Sequence, residues 1–358
     1  MRGIAAIVVM LGHYFNGSFL KNSGLAVDFF FILSGFVISH SYAEKLRSGM
    51  RPRDYVARRI ARLWPLMVLS LCLAGPILAG LSHYGVSDFT GREIALATVS
   101  NSLFVPYFNT RYIYRGQVRG EGITFPGDSP MWSIFFEFFV SLLFLWLIRC
   151  RLKTLVRLAV SAFLLCVMWG LTDAVVSGSC RIGVPLGWNS ETFVSGFPRV
   201  IYGFVCGMVL HEISNPDKLQ DWIRKLPKLH PFLLYLALIA SLAFPYELRG
   251  LYFYLTVGVV APILILVTSR AVTGPVLTPV SEFLGWLSYP LYCLHSPAMM
   301  GLTLLAFHNI SFPGMAPGTA GMLAALLLSI LVATILDWLK IQKRLAAFLN
   351  RSSIQLAG

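Results

Sequence analysis

The sequence predicts an all-α integral membrane protein: a bundle of about ten transmembrane helices plus one re-entrant or interfacial segment, 94–106, with both termini cytoplasmic. Three observations carry that expectation. Hydrophobic residues make up 56% of the 358 and charged residues only 13%, against roughly a quarter charged in a soluble domain. Apolar runs long enough to cross a bilayer recur from one end of the chain to the other. The basic residues collect in short segments between these runs, where a topological bias places them.

In order, the runs fall at 3–20, 25–42, 63–82, 130–148, 155–173, 194–211, 231–246, 250–269, 283–307 and 317–339. The run 94–106, IALATVSNSLFVP, is shorter and broken by Ser100, Asn101 and Ser102, so it is expected not to cross. Loop charges test that choice. With Arg2 in the cytoplasm, the basic clusters at 45–62, 149–157, 218–228 and 340–351 all fall on the cytoplasmic side. Making 94–106 a span would invert every later segment, against the positive-inside bias. No internal repeat, low-complexity tract or soluble domain interrupts the pattern, and residues 1–345 read as one multi-pass domain followed by a short cytoplasmic tail, 346–358. The external stretch 83–129 is polar and Gly-rich and is expected to act as a lid or substrate loop. The first apolar run carries no small-residue exit site of a cleaved signal.

Composition also excludes some chemistries. A net charge of +13 could suit nucleic acid, but its confinement to interhelical loops points to topology or an anionic co-substrate, so no nucleic-acid partner is expected. The six cysteines, at 72, 150, 166, 180, 206 and 293, form no CxxC pair and mostly fall inside apolar runs. They are expected to pack, with neither a disulfide framework nor a metal site.

The remaining signals are ionisable residues in apolar settings. Arg2 and His13 are eleven residues apart, three turns plus about 20° of helix, so both lie on one face, about 16 Å apart along its axis. An arginine at the mouth and a histidine near mid-depth of one membrane helix are costly and mark a functional position. In VDFFFILSGFVI, Asp28 sits at the outer end of the next run and Ser34 beside Gly35, where small residues permit close helix packing. Arg59 and Arg62, three apart in RRIARLWP, offer two guanidinium forks at the membrane surface and suit a diphosphate. In PMWSIFFEFFVS, Trp132 and Ser133 lie at the outer interface. Glu137, about one turn inside, needs a partner, for which His13 and Arg199 qualify by depth. Arg199 opens FPRVIYGFVCGMVL at the outer end of a helix whose Gly203 and Gly207 have packing spacing. In LSYPLYCLHSP, Pro290 breaks the helix and His295 lies near mid-depth.

The blocks RGIAAIVVMLGHYF, VDFFFILSGFVI, RRIARLWP, PMWSIFFEFF, FPRVIYGFVCGM and LSYPLYCLH, in this order and at these distances, resemble the membrane acyltransferase-3 family over nearly the whole chain. That resemblance implies a multi-pass enzyme that O-acylates, usually O-acetylates, carbohydrates such as O-antigens and exopolysaccharides at a bacterial cytoplasmic membrane. The family pattern falls on Arg2, His13, Arg59, Arg62, Trp132, Ser133, Glu137 and His295. It departs after Asp337, where WLKIQKR lacks the proline of the family's Glu-x-Pro-x-Arg-like ending.

Acyl-transfer chemistry gives these residues roles without the resemblance. An acyl-CoA such as acetyl-CoA is made in the cytoplasm, carries phosphates and acts as a co-substrate, with no permanently bound cofactor. Its phosphates would meet Arg59 and Arg62, with Arg2 nearby. A neutral His13 can act as general base on a sugar hydroxyl or accept the acyl group itself. Glu137 would orient the imidazole and stabilise its charged form. Asp28, Ser34, Trp132, Ser133, Arg199 and His295 are expected to support the site or contact substrate. The partners would thus be acyl-CoA, a carbohydrate acceptor outside and the lipid bilayer; the sequence leaves the oligomeric state open. The competing class is a transporter or flippase of glycan or lipid-linked intermediates with His13, Glu137 and His295 as a relay, but the inverted repeats common in transporters are absent.

Overall fold

The computed structural model describes residues 1–15, 20, 22–109, 112–114, 117–119, 122–214, 229–244, 249–271, 274–308, 310 and 317–355. Within them the regular structure is helical apart from one small ribbon, Tyr112–Tyr114 (β1) antiparallel to Gln117–Arg119 (β2), with Ile113 opposite Val118. The helices are α1 (Arg2–Tyr14), α2 (Leu25–Arg47), α3 (Pro52–His83), α4 (Gly91–Ser102), α5 (Met131–Leu147) and α6 (Leu152–Val176). They continue with α7 (Gly196–Ser214, entered through a 3-10 turn at Phe193–Ser195), α8 (Pro231–Ala243) and α9 (Arg249–Leu255 and Ala261–Thr268 joined by a π turn, Thr256–Val260). The chain closes with α10 (Leu277–Phe307), α11 (Pro317–Trp338) and α12 (Ile341–Gln355).

Seven helices among the described residues are long and apolar enough to cross a membrane, and α1, α5 and α8 are apolar but shorter. The ten expected runs therefore all contain helix, but the 13 residues of α1 and of α8 rise only about 20 Å, against about 30 Å of hydrocarbon. For α1 this corrects the expected run 3–20. The helix ends at Tyr14, and Phe15 leaves it with φ −103° and ψ 15°. In sequence, Asn16, Gly17 and Ser18 follow, residue types that favour turns; they lie outside the described residues. His13 sits in the last turn of its helix.

The interrupted run 94–106 becomes the 12-residue α4. Thr90 and Glu93 form a reciprocal cap at its start, Thr90 N–H donating to Glu93 Oε2 at 2.8 Å and Glu93 N–H to Thr90 Oγ1 at 3.3 Å. Its far end is held by Trp64, whose Nε1 donates to the Ser102 carbonyl at 2.9 Å.

The chain divides into two compact units. One comprises Met1–Gly49, Phe139–Leu186 and Ser195–Ser288, and the close packing of α2 on α7 organises it. Glycines make that approach possible. A Cβ on Gly35 would lie 1.9 Å from the Phe204 carbonyl oxygen, and one on Gly207 2.0 Å from that of Ile32. The backbones themselves are in contact there. On the outside of the same unit, α6 turns Val156, Val160, Leu164, Met168, Leu171 and Val175 outward, an exposed apolar stripe at three- and four-residue spacing.

The other unit comprises Met50–Phe138, Gly187–Val194 and Tyr289–Gly358. Here α3 carries Pro65 and Pro76 within its length and packs against α4 and α12. The expected boundary at 345 falls inside α12, so residues 346–355 continue a helix packed on α3. The expected lid 83–129 has fixed parts. Asn109 exchanges hydrogen bonds with Ile123, and Thr124 donates through Oγ1 to the Trp188 carbonyl at 2.8 Å. Leu78, Phe89 and Ile94 form a small core beneath them, flanked by Tyr107, Ile123 and Trp188.

Candidate functional site

In the first unit, α1 enters beside α10. A Cβ on Gly3 would meet the Leu284 carbonyl oxygen at 2.4 Å, so this glycine sets the approach next to Arg2, which is half-buried. At the other end of α1, His13 is exposed by residue surface area in the last turn of the helix. Asp28, 2% exposed, does not face water. Arg199 grips it with a two-pronged bond, Nε to Oδ1 and Nη2 to Oδ2, each 2.7 Å. The remaining nitrogen, Nη1, donates to the carbonyls of Pro185 at 2.9 Å and Leu186 at 2.7 Å. Arg199 thus joins α2, α7 and the segment that precedes α7. Ser34 is half-buried, beside the Gly35 contact.

The second unit holds Arg59, Arg62, Trp132, Ser133, Glu137 and His295. Glu137 finds a cation there that the depth argument did not name: Arg59 Nη2 donates to its Oε1 at 3.0 Å, with both residues buried. Arg199, expected as a candidate, belongs to Asp28 instead. The expectation that Arg59 and Arg62 offer two guanidinium forks together at the surface is also corrected. Three residues on a helix subtend about 300°, and here that angle turns Arg59 inward while Arg62 stays exposed. Arg58, four before Arg62, is exposed with it, so these two share the open face. Trp132, expected in an interfacial belt, is buried in the protein against Phe136.

At the head of α5, Ser133 Oγ lies 2.6 Å from the Tyr292 hydroxyl and donates to the Pro130 carbonyl at 3.1 Å. His295 is fully buried, with Nδ1 3.1 Å from the Leu291 carbonyl one helical turn back. In the neutral ring that bond places the proton on Nδ1 and the acceptor lone pair on Nε2.

Sequence reasoning missed Asp128. It lies just before α5, fully buried, and its carboxyl contacts the Ser70 hydroxyl from α3, which also donates to the Cys293 carbonyl at 2.7 Å. Burial pushes this carboxyl well above the ordinary carboxylate range, against the lowering effect of the Ser70 and Ser296 hydroxyls beside it. The readable signal was in α10: Pro297, four residues after Cys293, withholds a helical donor from that carbonyl.

The acyltransferase domain of the acyltransferase-3 family matches residues 1–338. A protein named as protein 2 in the picA locus of Rhizobium radiobacter is 37% identical over 47% of this chain and 90% of its own length. One named as membrane-bound transacylase BcsY, from Komagataeibacter xylinus, is 23% identical over 99% of this chain and 83% of its own. Acyltransferase MdmB of Streptomyces mycarofaciens is 28% identical over 52% of this chain and 45% of its own. No solved structure matches. With a match that runs through nearly every helix described above, the chain belongs to the membrane acyltransferase-3 family and is an O-acyltransferase.

Proposed function

We propose that the protein moves an acyl group, acetyl in the simplest case, from cytoplasmic acyl-CoA to a hydroxyl of an extracytoplasmic glycan at a bacterial cytoplasmic membrane. The observation that carries this reading is the place of His13, a candidate base in the last turn of α1, in a chain of an acyltransferase family. The His13 imidazole takes the proton of the acceptor hydroxyl as its oxygen attacks the thioester carbonyl. The C–S bond breaks, and the proton passes to the departing CoA thiolate. Arg62 and Arg58, exposed on one face of α3, hold the phosphates of the donor, with Arg2 at the entrance to α1. Glu137 acts through Arg59, holding the buried side of the same helix.

In membranes supplied with acetyl-CoA and a glycan acceptor, His13→Ala should abolish ester formation while expression and topology persist. Arg58→Ala with Arg62→Ala should raise the donor KM with less effect on kcat. Full ester formation by His13→Ala would overturn the assignment. Loss of surface esters with normal glycan export in cells would separate transfer from transport.

A further inference from the structure

We infer that Asp128 is held as a neutral carboxylic acid that donates its proton to Ser70, and that in this form it positions the head of α5 against α3 and α10. The inference rests on counting protons. Pro297 has no N–H, so the Cys293 carbonyl, four residues earlier in α10, lacks the donor that a regular helix would supply. The Ser70 hydroxyl supplies it, at 2.7 Å, and both residues are fully buried. A serine hydroxyl has a single proton. Ser70 Oγ lies in hydrogen-bond contact with both the Cys293 carbonyl and Asp128 Oδ2; with its one proton on Cys293, the second contact needs a proton from the carboxyl. A carbonyl cannot bring the missing proton and a carboxyl can.

The surroundings agree. Asp128 is fully buried, its polar neighbours are the neutral hydroxyls of Ser70 and Ser296, and no lysine, arginine or histidine pairs with it among the described residues. An ionised carboxylate there would be a buried charge without a counter-ion, the costliest arrangement open to it, whereas the acid form is neutral. The upward push of burial on its proton affinity acts in the same direction. As an acid, Asp128 completes a chain from its own O–H through Ser70 to the Cys293 carbonyl, linking the loop before α5 to α3 and α10. Its backbone carbonyl also accepts from Met131 N–H at 3.0 Å, at the first residue of α5. With Ser133 bonded to Tyr292 one turn on, the start of α5 is tied to α10 twice, which fixes the register at which Glu137 meets Arg59.

The inference does not depend on which donor or acceptor the enzyme uses, and its test reads Asp128 directly. Infrared spectra of the full chain in lipid at neutral pH should contain the carbonyl stretch of a protonated carboxyl, shifted in D2O and missing from Asp128→Asn. Because Asn is isosteric with the neutral acid and can donate to Ser70, Asp128→Asn should keep the wild-type unfolding temperature and an acyl-transfer rate within about threefold, while Asp128→Ala loses about tenfold or more. Absence of the band, or a band unchanged in Asp128→Asn, overturns the inference. So does an Asp128→Asn variant that fails to fold or is as impaired as Asp128→Ala. If no transfer is detected in the wild type, the acceptor reading fails, and the spectra and unfolding temperatures still decide the state of Asp128.

Discussion

Arg59 reaches from α3 to Glu137 on α5 with Nη2 3.0 Å from Oε1, and their side chains are only 4% and 11% exposed. Such a pair gains little by existing and much by not being broken, because one partner alone is an uncompensated buried charge. Glu137→Ala and Arg59→Ala should each cost about 3–5 kcal/mol, read as a lower unfolding temperature in detergent. The double variant Arg59→Met with Glu137→Met should recover most of that loss. If it is as unstable as the single variants combined, the pair stabilises through something other than mutual neutralisation.

Arg199 uses one planar fork on Asp28 and a third nitrogen on the carbonyls of Pro185 and Leu186. Lysine keeps the charge but cannot reproduce that geometry. Arg199→Lys should therefore lose about 2 kcal/mol and open the stretch before α7 to cleavage near 177–192. Limited proteolysis followed by mass mapping measures it. A cleavage pattern identical to wild type would mean that the stretch is held by its other contacts.

Gly35→Ala and Gly207→Ala place a methyl group into backbone at 1.9 and 2.0 Å, so α2 and α7 must separate. Each should destabilise by about 3 kcal/mol, the upper part of the range for overpacking. Gly285 in α10 is the control: a Cβ there meets nothing within 4 Å, and Gly285→Ala should be neutral or stabilising by up to about 1 kcal/mol through helix propensity. Comparable losses at all three positions would point to a general intolerance of substitution in place of a backbone contact.

The cap of α4 is a local device with a local readout. Thr90→Ala removes the acceptor for Glu93 N–H and should cost about 1 kcal/mol. Hydrogen exchange should quicken through the first turn of α4 and leave α3 unchanged. Equal quickening in both helices would show that they open as one cooperative segment.

The apolar runs were readable because a membrane helix announces itself through composition over some twenty residues, and each expected run contains helix. Ends and partners were less readable. The hydropathy that extends past Tyr14 does not register where α1 stops, which is why His13 was expected in the middle of a span and lies in the last turn of its helix. Asp28 and Arg199 are 171 residues apart, Arg59 and Glu137 78; depth along a helix suggests which charges share a level but not which helices are neighbours. Depth alone therefore offered Glu137 the wrong arginine. Asp128 escaped notice for a different reason. Its chemistry depends on a serine, a backbone carbonyl and a proline on two other helices, and only the proline leaves a mark in the sequence.

The outward stripe of α6, from Val156 to Val175, has a practical side. The six side chains of the stripe carry no hydroxyl, amide or charge, so they offer a lipid tail apolar contact alone. Nanodisc lipids and detergents should therefore be exchangeable against the stripe itself. A spin label or bromine quencher placed on the stripe would then report bilayer depth without disturbing the chemistry elsewhere.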